Sequence, residues 1–334
     1  MKSRSTTLFI ALSLLLVILF VLDLLIGSVH IPLCDILGAL FGGDVDASTR
    51  LIVLDIRLIK AIVAVLAGIA LSVSGLQMQT LFRNPLAGPY VLGISSGASL
   101  GVAIFILGMP LLGVPTNSAI SSIGTAGVAW LGAALILAFI ASVSTRIKDI
   151  MVILILGMMI SSGVSAVVQI LQYLSNEEAL KSFVIWTMGS LGDVTSSQLM
   201  LLLPAILIGL VVSVAVIKPL NLLLFGDQYA RTMGLNVRRS RYLIFLSTTL
   251  LAGPVTAFCG PIGFVGLAIP HIARMLFCNA DHRILLPATA LCGAVVLLGC
   301  DIISKWLTLP INTVTALLGI PVVIWVVIRN KSIV

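Results

Sequence analysis

Charge is what this chain has least of. Asp, Glu, Lys and Arg make up 9% of its 334 residues, against about 25% in soluble domains. That shortage excludes an ordinary water-soluble domain. Paired cysteines are missing too. None of the five cysteines forms a Cys-x-x-Cys pair. Cys259, Cys278, Cys292 and Cys300 fall in or at the ends of apolar runs, and only Cys34 lies clearly outside them. No redox or metal role follows, because a buried thiol serves as a small apolar residue. The three histidines (His30, His271, His282) are scattered, and no His-Glu-x-x-His occurs, which leaves a metalloenzyme unsupported. Alternating barrel strands are absent as well.

What the chain has is apolar sequence. Hydrophobic residues make up 60% of it, in continuous runs. A helical span takes about 20 residues, and lipid admits only helices or closed barrels. The runs predict an all-α polytopic membrane protein with ten spans, at about 8–27, 58–81, 90–108, 119–143, 150–173, 197–217, 241–259, 264–278, 284–307 and 310–328. Residues 1–334 read as a single transmembrane domain. The first run is longer than a signal-peptide core and lacks a small-x-small cleavage site, so it reads as a retained helix. The eighth is short and interrupted by Pro270.

An even number of spans puts both termini on one side. With that side cytoplasmic, fourteen of the nineteen basic residues lie inside, among them Arg83, Arg146, Lys148, Arg231, Arg238, Arg239, Arg241, Arg274, Arg283 and Lys331. Arg50, Arg57, Lys60, Lys181 and Lys305 lie outside. The bias follows the positive-inside rule and predicts a multi-pass protein of the inner (plasma) membrane with both termini cytoplasmic. The net charge of +7 is then topological. Basic residues spread over separate loops argue against nucleic acid.

Several spans are polar on one face. In the fifth, Ser161, Ser162, Ser165, Gln169 and Gln172 recur at three- and four-residue spacing. A glutamine in hydrocarbon is costly without a partner. This face either bonds another helix or walls a polar path, and both hold if the path lies at a subunit interface. Gly68, Ser72, Gly75 and Gln79 share a face of the second span, and Gly93, Gly97 and Gly101 make a close-packing face on the third. Asp301 has Lys305 four residues on, hence on the same helical face. The pair is either local neutralisation near a helix end or the ion site of a secondary transporter. Gly319 and Pro321 predict a kink in the tenth span.

Three segments between spans stand out. Residues 82–97 (Phe-Arg-Asn-Pro-Leu-Ala-Gly-Pro-Tyr-Val-Leu-Gly-Ile-Ser-Ser-Gly) carry two prolines that break helix. They read as a rigid connector on the inner face. Residues 259–270 are similarly punctuated, and the stretch from Arg283 to Pro287 echoes the one from Arg83 to Pro85, as related halves of a transporter would. Residues 218–240 form a cytoplasmic loop in which Gly226 and Gly234 bracket a two-turn helix bearing Asp227, Ala230 and Arg231. Its Leu222, Leu223, Leu224, Phe225 and Met233 suggest a docking surface or an interfacial helix on membrane lipid.

Ordered motifs from about Leu54 to Val327 resemble a known family. They are Arg57-Leu58, Arg83-Asn84-Pro85-Leu86-Ala87-x-Pro89, Leu92-Gly93-Ile94-Ser95-Ser96-Gly97-Ala98 and Trp186-Thr187-Met188-Gly189-Ser190. Gly260-x-Ile262-Gly263-Phe264-Val265-Gly266, Pro270-His271-x-x-Arg274 and Thr315-Ala316-Leu317-Leu318-Gly319-x-Pro321 follow. The chain resembles the permease subunits of binding-protein-dependent ABC importers for iron-siderophores, haem and cobalamin. The resemblance implies the type II importer fold with weakly related halves and a homodimer with ten helices per subunit. It implies two copies of a cytoplasmic ABC ATPase docked on the 218–240 loop through Gly226, Asp227, Ala230, Arg231 and Gly234. It also implies an extracytoplasmic binding protein met by Arg57, Lys60 and Lys305.

The pathway would run along the fifth and tenth helices, past Ser161, Ser162, Ser165, Gln169 and Gln172. The permease itself would be no enzyme and hold no cofactor, metal or ATP, in keeping with the lack of a Gly-x-x-x-x-Gly-Lys-[Ser/Thr] loop. Two features depart from the family pattern: Ile59-Lys60 stands where Pro-Arg is usual, and Ile150-Met151 would make any inner gate hydrophobic. The alternative is an ion-coupled secondary transporter using Asp301.

Overall fold

The computed structural model describes residues 2–27, 29–111, 118–144, 147 and 150–329. Arg146, Lys148 and Lys331 lie outside the described residues, as does the side chain of Ile150 in the hydrophobic-gate reading. Among the described residues all regular elements are helical, and ten helices follow the apolar runs: α1 (Lys2–Leu25), α2 (Ile59–Phe82), α3 (Ile94–Leu111), α4 (Ser118–Ser144), α5 (Ile150–Leu174), α6 (Ser196–Ala215), α7 (Val237–Cys259), α8 (Val265–Phe277), α9 (His282–Leu307) and α10 (Ile311–Arg329). Seven of them (α1, α3–α7 and α9) are long and apolar enough to cross a membrane, α8 and α10 are shorter apolar helices, and α2 is a 24-residue helix enclosed by the others.

Helix ends follow local chemistry. A capping box between Thr195 and Gln198 opens α6. The Asp281 carboxylate accepts from the Arg283 amide and opens α9. At the end of α2, Arg83 adopts the left-handed conformation just before Pro85, which cannot continue a helix.

The centre of the fold is α2. Residues 70–82 are all buried, the polar Ser72, Ser74, Gln77, Gln79 and Thr80 among them. Beside it α9 runs antiparallel, with Thr80 against His282 at one end and Lys60 against Asp301 at the other. Between those ends the backbones touch. A Cβ placed on Gly68 would lie 2.3 Å from the Gly293 carbonyl oxygen, and one placed on Gly293 would lie 2.3 Å from that of Gly68. The shared face of Gly68, Ser72, Gly75 and Gln79 is therefore a packing face. Ser72 Oγ donates to the Thr289 carbonyl at 3.0 Å, and Gln79 Nε2 to that of Leu267 at 3.0 Å.

The ends of the bundle differ in charge. Arg83, Arg241 and Arg274 cluster at one, called here the basic end, and Arg57, Lys60 and Lys305 sit at the Asp301 end. Both described termini lie at the basic end. Phe9 of α1 packs on Phe277, with ring centroids 4.8 Å apart, and α10 sets out from the Asp301 end just after α9.

The eighth span is short because α8 starts inside the bundle. Gly266 meets the Leu71 carbonyl, eleven residues before the end of α2, or about 16 Å along the axis. Irregular backbone at depth must be satisfied by protein. Here the Ile262 amide donates to Tyr90 Oη at 3.3 Å, the Gly263 amide to Asn312 Oδ1 at 2.9 Å, and the Ser190 amide to the Cys259 carbonyl at 2.8 Å. The turn after α2 takes part. Its residues Ala87, Gly88 and Pro89 are buried, and the Pro85 carbonyl lies 2.8 Å from His271 Nε2. Rather than a connector confined to one face, the turn dips from the basic end to the start of α8.

The third-span glycine face packs on α4. A Cβ on Gly97 would sit 2.4 Å from the Gly132 carbonyl oxygen. We expect Gly97→Ala to destabilise by about 1–3 kcal/mol and Gly97→Leu to prevent accumulation of folded protein. Thermal unfolding and size-exclusion profiles in detergent check this, and a wild-type profile for the leucine variant would refute the close contact.

Candidate functional site

Two short helices follow α6 at the basic end, Ile217–Leu223 and Asp227–Thr232. Pro219 is tolerated in the first turn. Gly226 separates the two helices with φ of 98°, a conformation that suits glycine. Leu220, Leu223 and Ala230 are buried against the bundle. Leu224, Phe225, Tyr229 and Met233 point outward, at 40%, 70%, 48% and 58% exposure. Phe225 and Tyr229 pack with ring centroids 5.2 Å apart. The exposed apolar area fits a docking surface or a segment lying on lipid.

The sequence-derived coupling residues divide into two roles. Arg231 is exposed, whereas Asp227 pairs with Arg241 at the start of α7 and so holds the segment in place. Gly226 and Gly234, with φ of 81°, set the turns, and Ala230 packs inward. A further anchor escaped the sequence reading. Asn221 donates from Nδ2 to Asp281 Oδ1 at 2.6 Å, and its Oδ1 lies 2.9 Å from the His282 amide and 2.7 Å from His282 Nδ1. The Arg283 amide, and then Asn221, hold the Asp281 carboxyl below the usual carboxylate range.

The α5 stripe lies on a face this chain leaves uncovered. Ser162, Ser165 and Gln169 are exposed, and Ser161 and Gln172 are half-buried. The three hydroxyls donate back into their own helix: Ser161 to the Gly157 carbonyl at 2.9 Å, Ser162 to Met158 at 3.0 Å and Ser165 to Ser161 at 2.9 Å. Their protons are already engaged, leaving oxygen lone pairs and the two glutamine amides as the polar features of that face. Along α10, Leu317, Ile320, Ile324 and Ile328 are exposed too.

At the Asp301 end the three basic residues are drawn inward. Arg57 is 5% exposed, and its guanidinium donates to the carbonyls of Leu24, Leu25 and Val29, the first at 2.7 Å. It thereby takes up carbonyls left open where α1 ends. Burial lowers its pKa. Lys60 Nζ lies 3.0 Å from Asp301, and Lys305 Nζ lies 3.2 Å from Asp301 and 2.8 Å from Asp23. Of the three cations expected to meet an external partner, Arg57 spends its guanidinium on carbonyls inside the fold, and Lys60 and Lys305 stand half-buried beside the buried Asp23 and Asp301. The Asp301–Lys305 pair is thus part of a larger cluster that ties α1, α2 and α9 together. Asp23 was passed over in the sequence because one carboxylate near the end of an apolar run reads as a boundary residue.

The FecCD transport family matches residues 15–329. The chain belongs to that family. It is 39% identical to the hemin transport system permease protein HmuU of Yersinia pestis, over 84% of each chain. It is 37% identical to the vitamin B12 import system permease protein BtuC of Klebsiella pneumoniae, over 99% of this chain and 96% of that one. A solved metal-chelate type ABC transporter in an inward-facing conformation superposes with a TM-score of 0.83 at 31% identity, covering 97% of this chain and 99% of that one. The FecCD chain thus has the all-helical fold of an ABC importer permease.

One more internal network holds this FecCD bundle. Gln77 Nε2 donates to Ser213 Oγ at 2.7 Å and to Ser247 Oγ at 3.0 Å, linking α2 to α6 and α7. Gln77 lies off the small-residue face of its helix, so periodicity did not flag it. We expect Asp301→Asn to destabilise the protein by about 3–5 kcal/mol, because two half-buried lysines lose the buried carboxylate they share. Adding Lys60→Met should restore part of the loss, because Lys60 is paired with Asp301 whereas Lys305 still neutralises the buried Asp23. Thermal unfolding in detergent reads both effects, and an unchanged Tm for Asp301→Asn would remove the cluster from the account of stability.

Proposed function

We propose that this chain is the membrane-spanning subunit of an ABC importer that carries a bulky metal chelate (an iron-siderophore, haem or cobalamin) across the inner membrane. Two copies form the pathway, and two copies of a separate ABC ATPase supply the energy. A binding protein delivers the substrate from outside, and the basic end is cytoplasmic. The hemin and vitamin B12 relatives and the metal-chelate transporter support this substrate class.

The observation that carries the reading is the segment at the basic end. One side of it is pinned to the bundle through Asn221 and Asp227, and the other presents Leu224, Phe225, Tyr229, Met233 and the Arg231 charge. Such a surface suits a soluble ATPase subunit. The uncovered α5 face, with Ser162, Ser165 and Gln169, suits a second copy across a polar path. Closure of the ATPase dimer would push on the two segments and rock the permeases about their interface. The ion-coupled alternative has weaker support, because Asp301 already faces Lys60 and Lys305.

Arg231→Glu should lower ATP-driven uptake at least about tenfold while insertion into the membrane stays normal, because a reversed charge at the contact opposes docking. Uptake of radiolabelled haem or cobalamin by cells carrying the cognate ATPase and binding protein measures it. Wild-type uptake would sink the docking role of Arg231. Uptake that survives ATP depletion and collapses with the ion gradient would favour the Asp301 alternative.

A further inference from the structure

We propose that α2 and α9 act as one rigid strut between the ATPase contact and the binding-protein contact, and that Asn221 is the positioning residue that latches the ATPase-contacting segment onto it. This rests on the importer reading above.

The latch follows from hydrogen-bond chemistry. The Asp281 carboxylate can only accept, so the Asn221 nitrogen at 2.6 Å must face it and Asn221 Oδ1 must face His282. That oxygen also only accepts, so His282 Nδ1 carries the proton and donates at 2.7 Å. His282 Nε2 is then left as an acceptor, 2.8 Å from the Thr80 hydroxyl, whose single proton it shares with the Leu76 carbonyl at 2.9 Å. The chain Asn221–His282–Thr80 therefore joins the short helix Ile217–Leu223 to both members of the strut at once. Asn221 is half-buried beneath the outward-facing apolar surface and is not part of it.

The strut transmits because its helices cannot slide past one another. Gly68 and Gly293 meet backbone to backbone, with no side chain between them to compress, and Ser72 Oγ donates to the Thr289 carbonyl one turn away. Close-packed contacts of this kind move as a body. Thr80 and Lys60 are twenty residues apart on α2, or about 30 Å. At that far end Lys60 and Lys305 share Asp301, one lysine from each helix. A push received at Asn221 thus reaches both lysines together, on the face where the binding protein would sit. By reciprocity, binding protein on that face changes the nucleotide affinity of the ATPase by the same factor.

The test uses the assembled permease–ATPase complex in nanodiscs and a fluorescent cognate binding protein. Its affinity is titrated without nucleotide and with ATP and vanadate. The wild-type complex should show a nucleotide-dependent shift of about tenfold, and Asn221→Ala should reduce it below about twofold with assembly and nucleotide-free affinity retained. Thr80→Val deletes only the hydroxyl and should also shrink the shift, while Thr80→Ser should restore it. A wild-type shift in both Asn221→Ala and Thr80→Val overturns the proposal. If Asn221→Ala fails to assemble, the threonine pair decides alone, and equal shifts in Thr80→Val and Thr80→Ser overturn it. A wild-type complex that neither hydrolyses ATP nor binds the binding protein counts against the importer reading instead.

Discussion

The Gly68–Gly293 contact is the constraint on which the other features depend. Lipid is as apolar as the side chains of a buried helix, so helices in a membrane gain little from hydrophobic burial against each other and rely on close packing and hydrogen bonds. Removing both side chains lets the α2 and α9 backbones meet and multiplies short-range attraction. It also fixes register. Ser72 falls opposite the Thr289 carbonyl, Thr80 opposite His282 and Lys60 opposite Asp301 only because the two helices cross where they do. One methyl group at Gly68 would displace all three.

Around that pair, buried polar groups find partners on other helices. Gln77 is met by two serines from different helices. The irregular backbone before α8 is met by Tyr90 and Asn312. Each bond joins segments far apart in sequence, so satisfying the polar groups also specifies which helices are neighbours. Phe264 shows the cost of this arrangement. It holds φ of 64° where few bulky residues do, with its Cβ pressed against Gly319 of α10.

Much of the architecture was legible because its causes are local. An unbroken apolar run is a helix in lipid wherever it sits, and a row of glycines one turn apart is a packing face, so the ten helices and the close-packing face of α3 could be read directly, though not that α4 covers it. The Gly226 and Gly234 turns were legible for the same reason. Apart from Lys305, which lies beside Asp301 one turn away, the partners of the charges were not. Lys305 is close to Asp23 although 282 positions separate them, and neither neighbourhood in sequence hints at the other. Arg57 and Lys60 looked like surface cations because they flank a span, yet the open carbonyls at the end of α1 and the carboxylate of Asp301 draw them in. Asn221 was hidden in a loop whose apolar residues attracted attention first. The start of α8 was visible as a weak run, but only the Leu71–Gly266 contact explains why it is short.

The cluster at the Asp301 end has a consequence for anything that approaches from a distance. Arg57, Lys60 and Lys305 bring three positive charges, and Asp23 and Asp301 return two negative ones. Seen from beyond a Debye length, about 8–10 Å in physiological salt, the five groups amount to little more than one unit of charge. Long-range attraction of an acidic protein to that spot is therefore weak. A partner must arrive by other means and find the lysines only on contact, where its own carboxylates compete with those already in place.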